Sequence, residues 1–431
     1  MRSSRKSFSD LLVHLHPPTV PASTLAFGLS LGLGGMAVTL LGLLALTGVL
    51  LLTLYQPSIE GAYASVVGLA REVPFGRWVR NVHYWSANLL VVVAALHFVR
   101  VAVTGAFGPG RRLSWAIGLL LLALLLAANF TGYLLPWDQL AYWAVTICTS
   151  MLGYVPLAGN WLRELFRGGV DIGQATLANF FVLHVAMLPG ALLLFLFWHF
   201  WLVRRAGGLV RPETAAGEER VPTVPHLLAR EAAVGLALVA GVLLLAMAAD
   251  APLLAQANPG LSPNPAKAPW YFQGFQELLL HLHPVFAVFV WPLLGALALL
   301  VVPLWPGSAG PPGVWFCSGR GRRLAVWMTV AGCVITLGAV LVDDFWLRAG
   351  GAATAGAWLT RGLFPTLLAL GLLVGAYGVL VGKLGYSRAE AVMGCLCLVL
   401  AAGVVCTGVG VWFRGPEMRL MWPWTQGGTP S

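Results

Sequence analysis

Apolar residues fall in nine long runs, at about residues 28–54, 83–104, 115–135, 178–203, 230–249, 281–304, 324–342, 362–382 and 389–412. A helix crosses the hydrocarbon core of a bilayer with about 20 apolar residues, and each run is close to that length. The pattern predicts an all-α, polytopic membrane protein with nine transmembrane helices. An odd number places the termini on opposite sides.

The longest polar connection, about residues 204–229, carries Pro212, Glu213, Glu218, Glu219 and Pro222. It separates four spans from five. The expected division is residues 1–209 for a four-helix domain, 210–345 for three further spans, and 346–431 for the last two with a tail.

Charge sets direction. Arg2, Arg5, Lys6, Arg111, Arg112, Arg204, Arg205, Arg211, Arg220, Arg230, Arg320, Arg322, Arg323, Lys383 and Arg388 all fall in connections on one side. The positive-inside rule assigns that side to the cytoplasm, with the C-terminus outside. Arg71, Arg163 and Arg167 lie on the opposite side. Net charge is +10, but these arginines sit in short loops between spans, which excludes a nucleic-acid surface. With 58% hydrophobic and 10% charged residues and a mean hydropathy of +0.81, the lipid bilayer is the expected surrounding. The N-terminal Met1–His16 stretch is basic and amphipathic, and no cleaved signal peptide is predicted.

The six cysteines include no C-x-x-C-H, which excludes covalent haem through that motif. Cys395 and Cys397 point to different faces of a helix, a poor start for a metal site.

Four histidines carry the chemistry. His83 and His97 lie 14 residues apart on the second span, and His184 and His199 lie 15 apart on the fourth. Four helical turns separate the members of each pair, about 21 Å along the axis, so each pair shares one face. Both helices run in the same direction, which puts His83 level with His184 and His97 level with His199. A single intramembrane histidine is read as a satisfied interior group; four at matched depth point to two bis-imidazole haem sites. Zinc is disfavoured, because neither cysteine nor carboxylate accompanies the pairs at ligand spacing.

Gly34 and Gly48, and again Gly118 and Gly132, repeat the 14-residue period on the first and third spans. A flat porphyrin needs such room, although small residues also serve close helix packing. Arg80 and Arg100 each lie three residues from a histidine, where guanidinium groups suit haem propionates.

These residues resemble the cytochrome b family of bc- and bf-type complexes. The resemblance rests on Arg80-Asn81-Val82-His83-Tyr84-Trp85-Ser86-Ala87, Leu96-His97-Phe98-Val99-Arg100, Gly132-Tyr133-Leu134-Leu135-Pro136-Trp137-Asp138-Gln139, Tyr142-Trp143-Ala144-Val145 and Gly173-Gln174-Ala175-Thr176-Leu177. It is close to continuous over about residues 20–210. The 15-residue histidine spacing, and Asp138 after Pro-Trp, are similar to the bf branch. The second half is similar to the family's quinol-site subunit, fused here to the first.

The resemblance implies two non-covalent b-type haems, quinol oxidation outside and quinone reduction inside, and a contribution to a proton gradient. It implies a Rieske iron–sulfur protein, a c-type cytochrome and the quinone pool as partners, a homodimeric complex, and a bacterial cytoplasmic membrane. Pro136, Trp137, Tyr142, Pro269, Trp270 and Tyr271 become quinol-site residues, with Arg204 near the inner quinone.

This chain departs from the family at several positions. The family's Pro-Glu-Trp-Tyr, whose carboxylate accepts a quinol proton, reads Ala268-Pro269-Trp270-Tyr271 here. Glu277 is the candidate replacement, acting with Tyr271, and His281 and His283 are weaker ones. Gly32 stands where the bf branch tethers an extra haem through cysteine, and Tyr84 and Asn179 stand where arginine is usual. The tail from Trp412 to Trp424 has no assigned chemistry. Two other readings share part of the pattern: a b-type haem anchor for a quinone-linked dehydrogenase, and a transporter with a histidine proton relay.

Overall fold

A computed structural model describes residues 17–212, 218–347 and 356–425. Met1–His16, with Arg2, Arg5 and Lys6, and also Glu213, lie outside the described residues.

Among the described residues, nine helices are long and apolar enough to cross a membrane. They are α1 (Leu33–Leu52), α3 (Gly76–Val103), α4 (Arg112–Leu134), α7 (Gln174–Arg205), α8 (Thr223–Ala248), α10 (Phe286–Leu304), α11 (Gly319–Leu347), α12 (Leu359–Gly382) and α13 (Arg388–Phe413). Shorter helices punctuate them, among them α2 (Ala62–Glu72), α5 (Gln139–Leu152), α6 (Gly159–Arg167) and α9 (Gln273–His281). The chain is an all-helical, multi-pass membrane protein, with one small exception. Thr19–Pro21 (β1) pairs antiparallel with Arg220–Pro222 (β2), Val20 opposite Val221.

Packing divides the chain into two compact units that do not follow chain order. One holds the described residues up to Tyr133, Phe181–Leu253 and Ala309–Trp315; the other holds Leu134–Phe180, Leu254–Ser308 and the described residues from Phe316. This grouping by packing differs from the division expected at 209 and 345.

In the first unit α1 and α3 pack along their length, and α8 packs on both. Leu33, Leu40, Val82, Leu90, Val93, Leu125, Leu192, Val242 and Ala246 form the core. The second span begins at Gly76, earlier than its apolar run, because its first polar side chains find partners. Trp78 Nε1 donates to Leu243 O, Arg77 pairs with Asp250, and Arg80 donates to Ala251 O and Pro252 O. In the second unit α11 and α13 pair, and Ser318 and Ser387 cap their N-termini.

Three spans share one irregularity. A π-turn at Leu183–Met187, Phe286–Val290 and Leu359–Leu363 precedes Pro189, Pro292 and Pro365 respectively, each proline two residues beyond it. Proline has no N–H and its ring clashes with the carbonyl four residues back; one wide turn relieves both. The sixth run also breaks at Pro284, so α9 ends at His281 and α10 begins at Phe286.

Asn81 is 3% exposed and makes three hydrogen bonds at the α8 end. Its Nδ2 donates to Ala246 O (3.0 Å) and Asp250 Oδ1 (2.9 Å), and its Oδ1 accepts from Ala251 N (2.9 Å). Asn81→Leu leaves the Ala251 amide without that acceptor and is expected to cost about 1–3 kcal/mol, read as a lower thermal midpoint in detergent.

Candidate functional site

In the first unit, each histidine faces one glycine. A Cβ at Gly48 would lie 3.4 Å from His83 Cε1, and at Gly34 3.7 Å from His97 Cε1. At Gly118 it would lie 3.4 Å from His199 Cε1, and at Gly132 only 2.9 Å from His184 Nδ1. The structure thus joins α1 to α3 and α4 to α7 through four imidazole–glycine contacts. His83 and His184, from the two helix pairs, are themselves neighbours, with ring centroids 6.3 Å apart and planes at 75°.

Hydrogen bonds settle which ring nitrogens are available. His184 Nδ1 lies 2.9 Å from Ala128 O, which can only accept, so Nδ1 carries the proton. Thr47 donates its hydroxyl to Leu43 O (2.7 Å) and therefore accepts from His83 Nδ1 (2.9 Å). Both Nε2 atoms keep a lone pair, the arrangement metal-ligating histidines use. A metal with imidazole on either side needs ring centres about 6.4 Å apart, given metal–nitrogen bonds of about 2 Å, close to the separation of His83 and His184. The donor set and the glycine gaps fit a bis-imidazole haem. At the other level His199 Nδ1 is buried without a hydrogen-bond partner among the described residues.

The unequal spacings have a structural cause. The π-turn at Leu183–Met187 inserts one extra residue between His184 and His199, so fifteen residues cover the turns that fourteen cover on α3.

Arg80 and Arg100 are engaged with backbone. Arg80 reaches Ala251 O and Pro252 O, and buried Arg100 donates to Leu29 O through Nε (3.0 Å) and Nη2 (2.8 Å). Gly32 is in the left-handed region (φ +64°), and a Cβ there would meet Val234 Cγ1 at 3.2 Å, so a side chain is strained as well as crowded. Arg204 is exposed near the end of α7.

The other candidate residues lie in the second unit. Trp137 is buried with φ +51°, against Tyr142 edge-to-face at 5.7 Å. Asp138 caps α5 through Ala141 N (2.9 Å) and accepts from Leu254 N (3.0 Å), while Ala257 N donates to Trp137 O (3.0 Å). The Pro136–Trp143 segment is thereby stitched to the stretch that leads into Ala268. From there Gln276 Oε1 accepts from Ala268 N (2.8 Å) and Gln273 Nε2 donates to Ala268 O (2.5 Å), which seats Pro269, Trp270 and Tyr271 on the start of α9. Two buried polar atoms in these segments lack partners among the described residues, Trp143 Nε1 and Gln273 Oε1. His283 Nδ1 is a third.

Glu277 is fully buried, with both oxygens engaged. Arg414 Nε donates to Oε2 (3.0 Å), Arg414 Nη2 donates to Oε1, and His281 Nε2 lies 3.0 Å from Oε1. Arg414 also pairs with Asp344 (2.7 Å), and His281 Nδ1 with Asp343 (2.7 Å). Burial pushes the Glu277 carboxyl up, but hydrogen bonds from His281 and Arg414 outweigh it and leave its pKa lowered. Burial pulls the His281 imidazole down, yet its bonds to Glu277 and Asp343 leave it raised.

Arg414 escaped the sequence reading. The available signal was three carboxylates at the ends of apolar runs, Glu277, Asp343 and Asp344, which require a buried cation.

Fold and site together define a multi-pass helical membrane protein built around paired intramembrane imidazoles. A Cytochrome b/b6/petB family model matches residues 21–207. The chain is 40% identical over 175 residues to cytochrome b6 of Synechococcus elongatus, which covers 41% of this chain and 81% of that protein. For cytochrome b6 of Euglena gracilis the identity is 41% over 175 residues, again 41% and 81% of the two chains. The chain belongs to the cytochrome b/b6 family. A chain of a hyperthermophilic respiratory Complex III shares the fold over 88% of this chain and 91% of its own, with a TM-score of 0.63 at 23% identity. The shared fold therefore extends well past the b6-like part.

The raised imidazole has a measurable consequence. A group whose pKa is higher folded than unfolded stabilises the fold fully below its ordinary value, 6.5 for histidine, and loses that contribution as pH rises through the folded value. Thermal midpoints in detergent are expected to fall across that window, and His281→Asn is expected to flatten the dependence.

Proposed function

We propose that this chain is the quinol-oxidising cytochrome b of a bc-type complex. The observation that carries the reading is the set of four imidazole–glycine contacts, with the 6.3 Å separation of the His83 and His184 rings. His83 and His184 hold one b-type haem on the outer side, and His97 and His199 hold a second on the inner side. A haem held between each pair of imidazoles would supply one-electron transfer rather than oxygen binding.

The protein's own residues do the rest. Thr47 and the Ala128 carbonyl fix the His83 and His184 rings by their Nδ1 atoms. Gly34, Gly48, Gly118 and Gly132 keep the space beside the imidazoles clear, and Arg80 and Arg100 stand near the ends of α3 as propionate partners.

Quinol binds on the outer side between the Pro136–Trp143 segment, with Trp137 and Tyr142, and the Pro269–Glu277 segment, with Trp270 and Tyr271. The unpartnered Trp143 Nε1–H and Gln273 Oε1 offer a donor and an acceptor for a quinone oxygen and a quinol hydroxyl. Glu277 is the first protein carboxylate on the proton's way out, and Arg204 attends the inner quinone. The N-terminus is cytoplasmic, in a bacterial cytoplasmic membrane. A Rieske protein and a c-type cytochrome complete the enzyme, since this chain carries no c-type attachment motif.

Pyridine haemochrome quantification with a redox titration tests this. The expected result is two b-type haems per chain with separable potentials. Gly132→Ala, whose methyl group meets the His184 ring, is expected to lower the content towards one. One haem in the wild type would favour the dehydrogenase anchor, and none in folded protein would return the histidines to a transporter's proton relay.

A further inference from the structure

His281 sits at the centre of an ionic cluster drawn from four elements of the second unit. Glu277 comes from α9, Asp343 and Asp344 from the last turn of α11, Arg361 from the start of α12, and Arg414 from just past α13.

With a neutral ring, the three carboxylates of this cluster exceed its two guanidinium groups by one charge. One proton on His281 closes the balance.

Both states of the ring have partners. His281 Nδ1 donates to Asp343 Oδ2 at 2.7 Å in either state. When protonated, Nε2 donates to Glu277 Oε1 at 3.0 Å; when bare, it accepts from Arg414 Nη2 at 3.3 Å. The ring can therefore gain or lose a proton at Nε2 without leaving a buried polar atom unmatched, the condition for a shuttle in a poorly solvated site.

The cluster runs from a fully buried carboxylate to a partly exposed guanidinium. Side-chain exposure is 0% at Glu277, 13% at His281, 11% at Asp343 and 27% at Arg361, which approaches Asp343 at 3.6 Å. At the buried end Gln273 precedes Glu277 by one helical turn on the same face. Gln273 is 3% exposed, and its Oε1 has no partner among the described residues. Its Nε2 is bound to Ala268 O, at the start of the Pro269–Tyr271 segment. An acceptor thus waits between that segment and the cluster.

We propose that His281 is the proton outlet of the quinol-oxidising site, passing protons from Glu277 to Asp343. The proposal rests on the function argued above. A proton released by quinol reaches Glu277 Oε1. The Oε1–H bond then breaks as Nε2–H forms, and the His281 Nδ1–H bond breaks as Asp343 gains Oδ2–H. Asp343 releases that proton outwards, which leaves the ring neutral with its hydrogen on Nε2. A turn of the imidazole that carries this N–H towards Asp343 and the bare nitrogen towards Glu277 readies it for the next proton, so one proton crosses per turn and charge balances. Arg414 keeps Glu277 ionised between turnovers and holds the bare Nε2. His281 acts through Glu277 and is a positioning and relay residue rather than a catalytic one.

The test uses the assembled membrane complex, with a short-chain quinol and a c-type cytochrome as acceptor. Turnover is measured against pH for the wild type, His281→Asn and Asp343→Asn, with haem content read from reduced-minus-oxidised spectra. Relay needs the bare ring, so wild-type turnover rises with pH along a limb set by His281. Asp343→Asn removes the relay's proton acceptor together with a neighbouring negative charge, so turnover is expected to fall about tenfold or more and the residual limb to move to lower pH. His281→Asn is expected to erase the limb and reduce turnover about tenfold or more, with haem content unchanged.

An active wild type whose limb stays in place in Asp343→Asn overturns the relay and leaves the functional reading standing. If His281→Asn does not assemble, the Asp343→Asn limb decides alone. A haem-loaded wild type that oxidises no quinol overturns the functional reading and the outlet together.

Discussion

A buried imidazole has two nitrogens to satisfy and a flat ring to house, and the first unit is arranged around that demand. In apolar helices no water repairs an error, so each ring must find its partner in protein or cofactor. Glycine opposite each histidine removes the one side chain that would collide with the ring. Thr47 and Ala128 O occupy Nδ1 of His83 and His184 and leave Nε2 as the reactive atom. The π-turn before Pro189 belongs to the same accommodation. It relieves the proline and at the same time restores the turn count between His184 and His199.

The second unit solves a different problem, that of buried charge. Removing one partner of such a pair leaves an uncompensated ion, which costs far more than the pair itself contributes. Arg414 therefore ties the end of α13 to α9 and to the last turn of α11 as a set, not as separate bonds. Lys267 Nζ, which donates to Val411 O (3.1 Å), adds a second tie from the stretch before Ala268 to the same end of α13. The last span is thus an integral support of the Ala268–Tyr271 segment. An arginine with two carboxylates also explains why Glu277 can be ionised while fully buried.

Nine spans were legible because a lipid-facing helix must be apolar along its whole length, a pattern local to each run. The histidine and glycine periods were legible for the same reason, since partners on neighbouring helices repeat at the same interval. Even the odd residue between His184 and His199 was visible, though only the π-turn gives it meaning. What escaped depends on contacts that no local pattern carries. Arg414 meets Glu277 across 137 residues of sequence. The short helix α9 ends at His281, ahead of Pro284, but the apolar run from 281 crosses that break, so the hydrophobic pattern alone does not separate α9 from the sixth span. Arg80 and Arg100 each give two of their five N–H donors to backbone carbonyls, a use that no local pattern announces.

The proline before Trp270 ties these observations together. A proline at that position cannot take a proton, yet it keeps the Trp270–Phe272 turn and the bonds from Gln273 and Gln276 that seat Ala268 on α9. The segment's shape is therefore maintained separately from its acid–base chemistry. A carboxylate one turn beyond Gln273 inherits a protected position, but it inherits no solvent, because it is buried. It is useful for proton transfer only if something next to it leads outwards. Among the side chains bonded to Glu277, Arg414 cannot exchange its proton near neutral pH. Histidine can, and His281 is the bonded neighbour whose far nitrogen already touches Asp343.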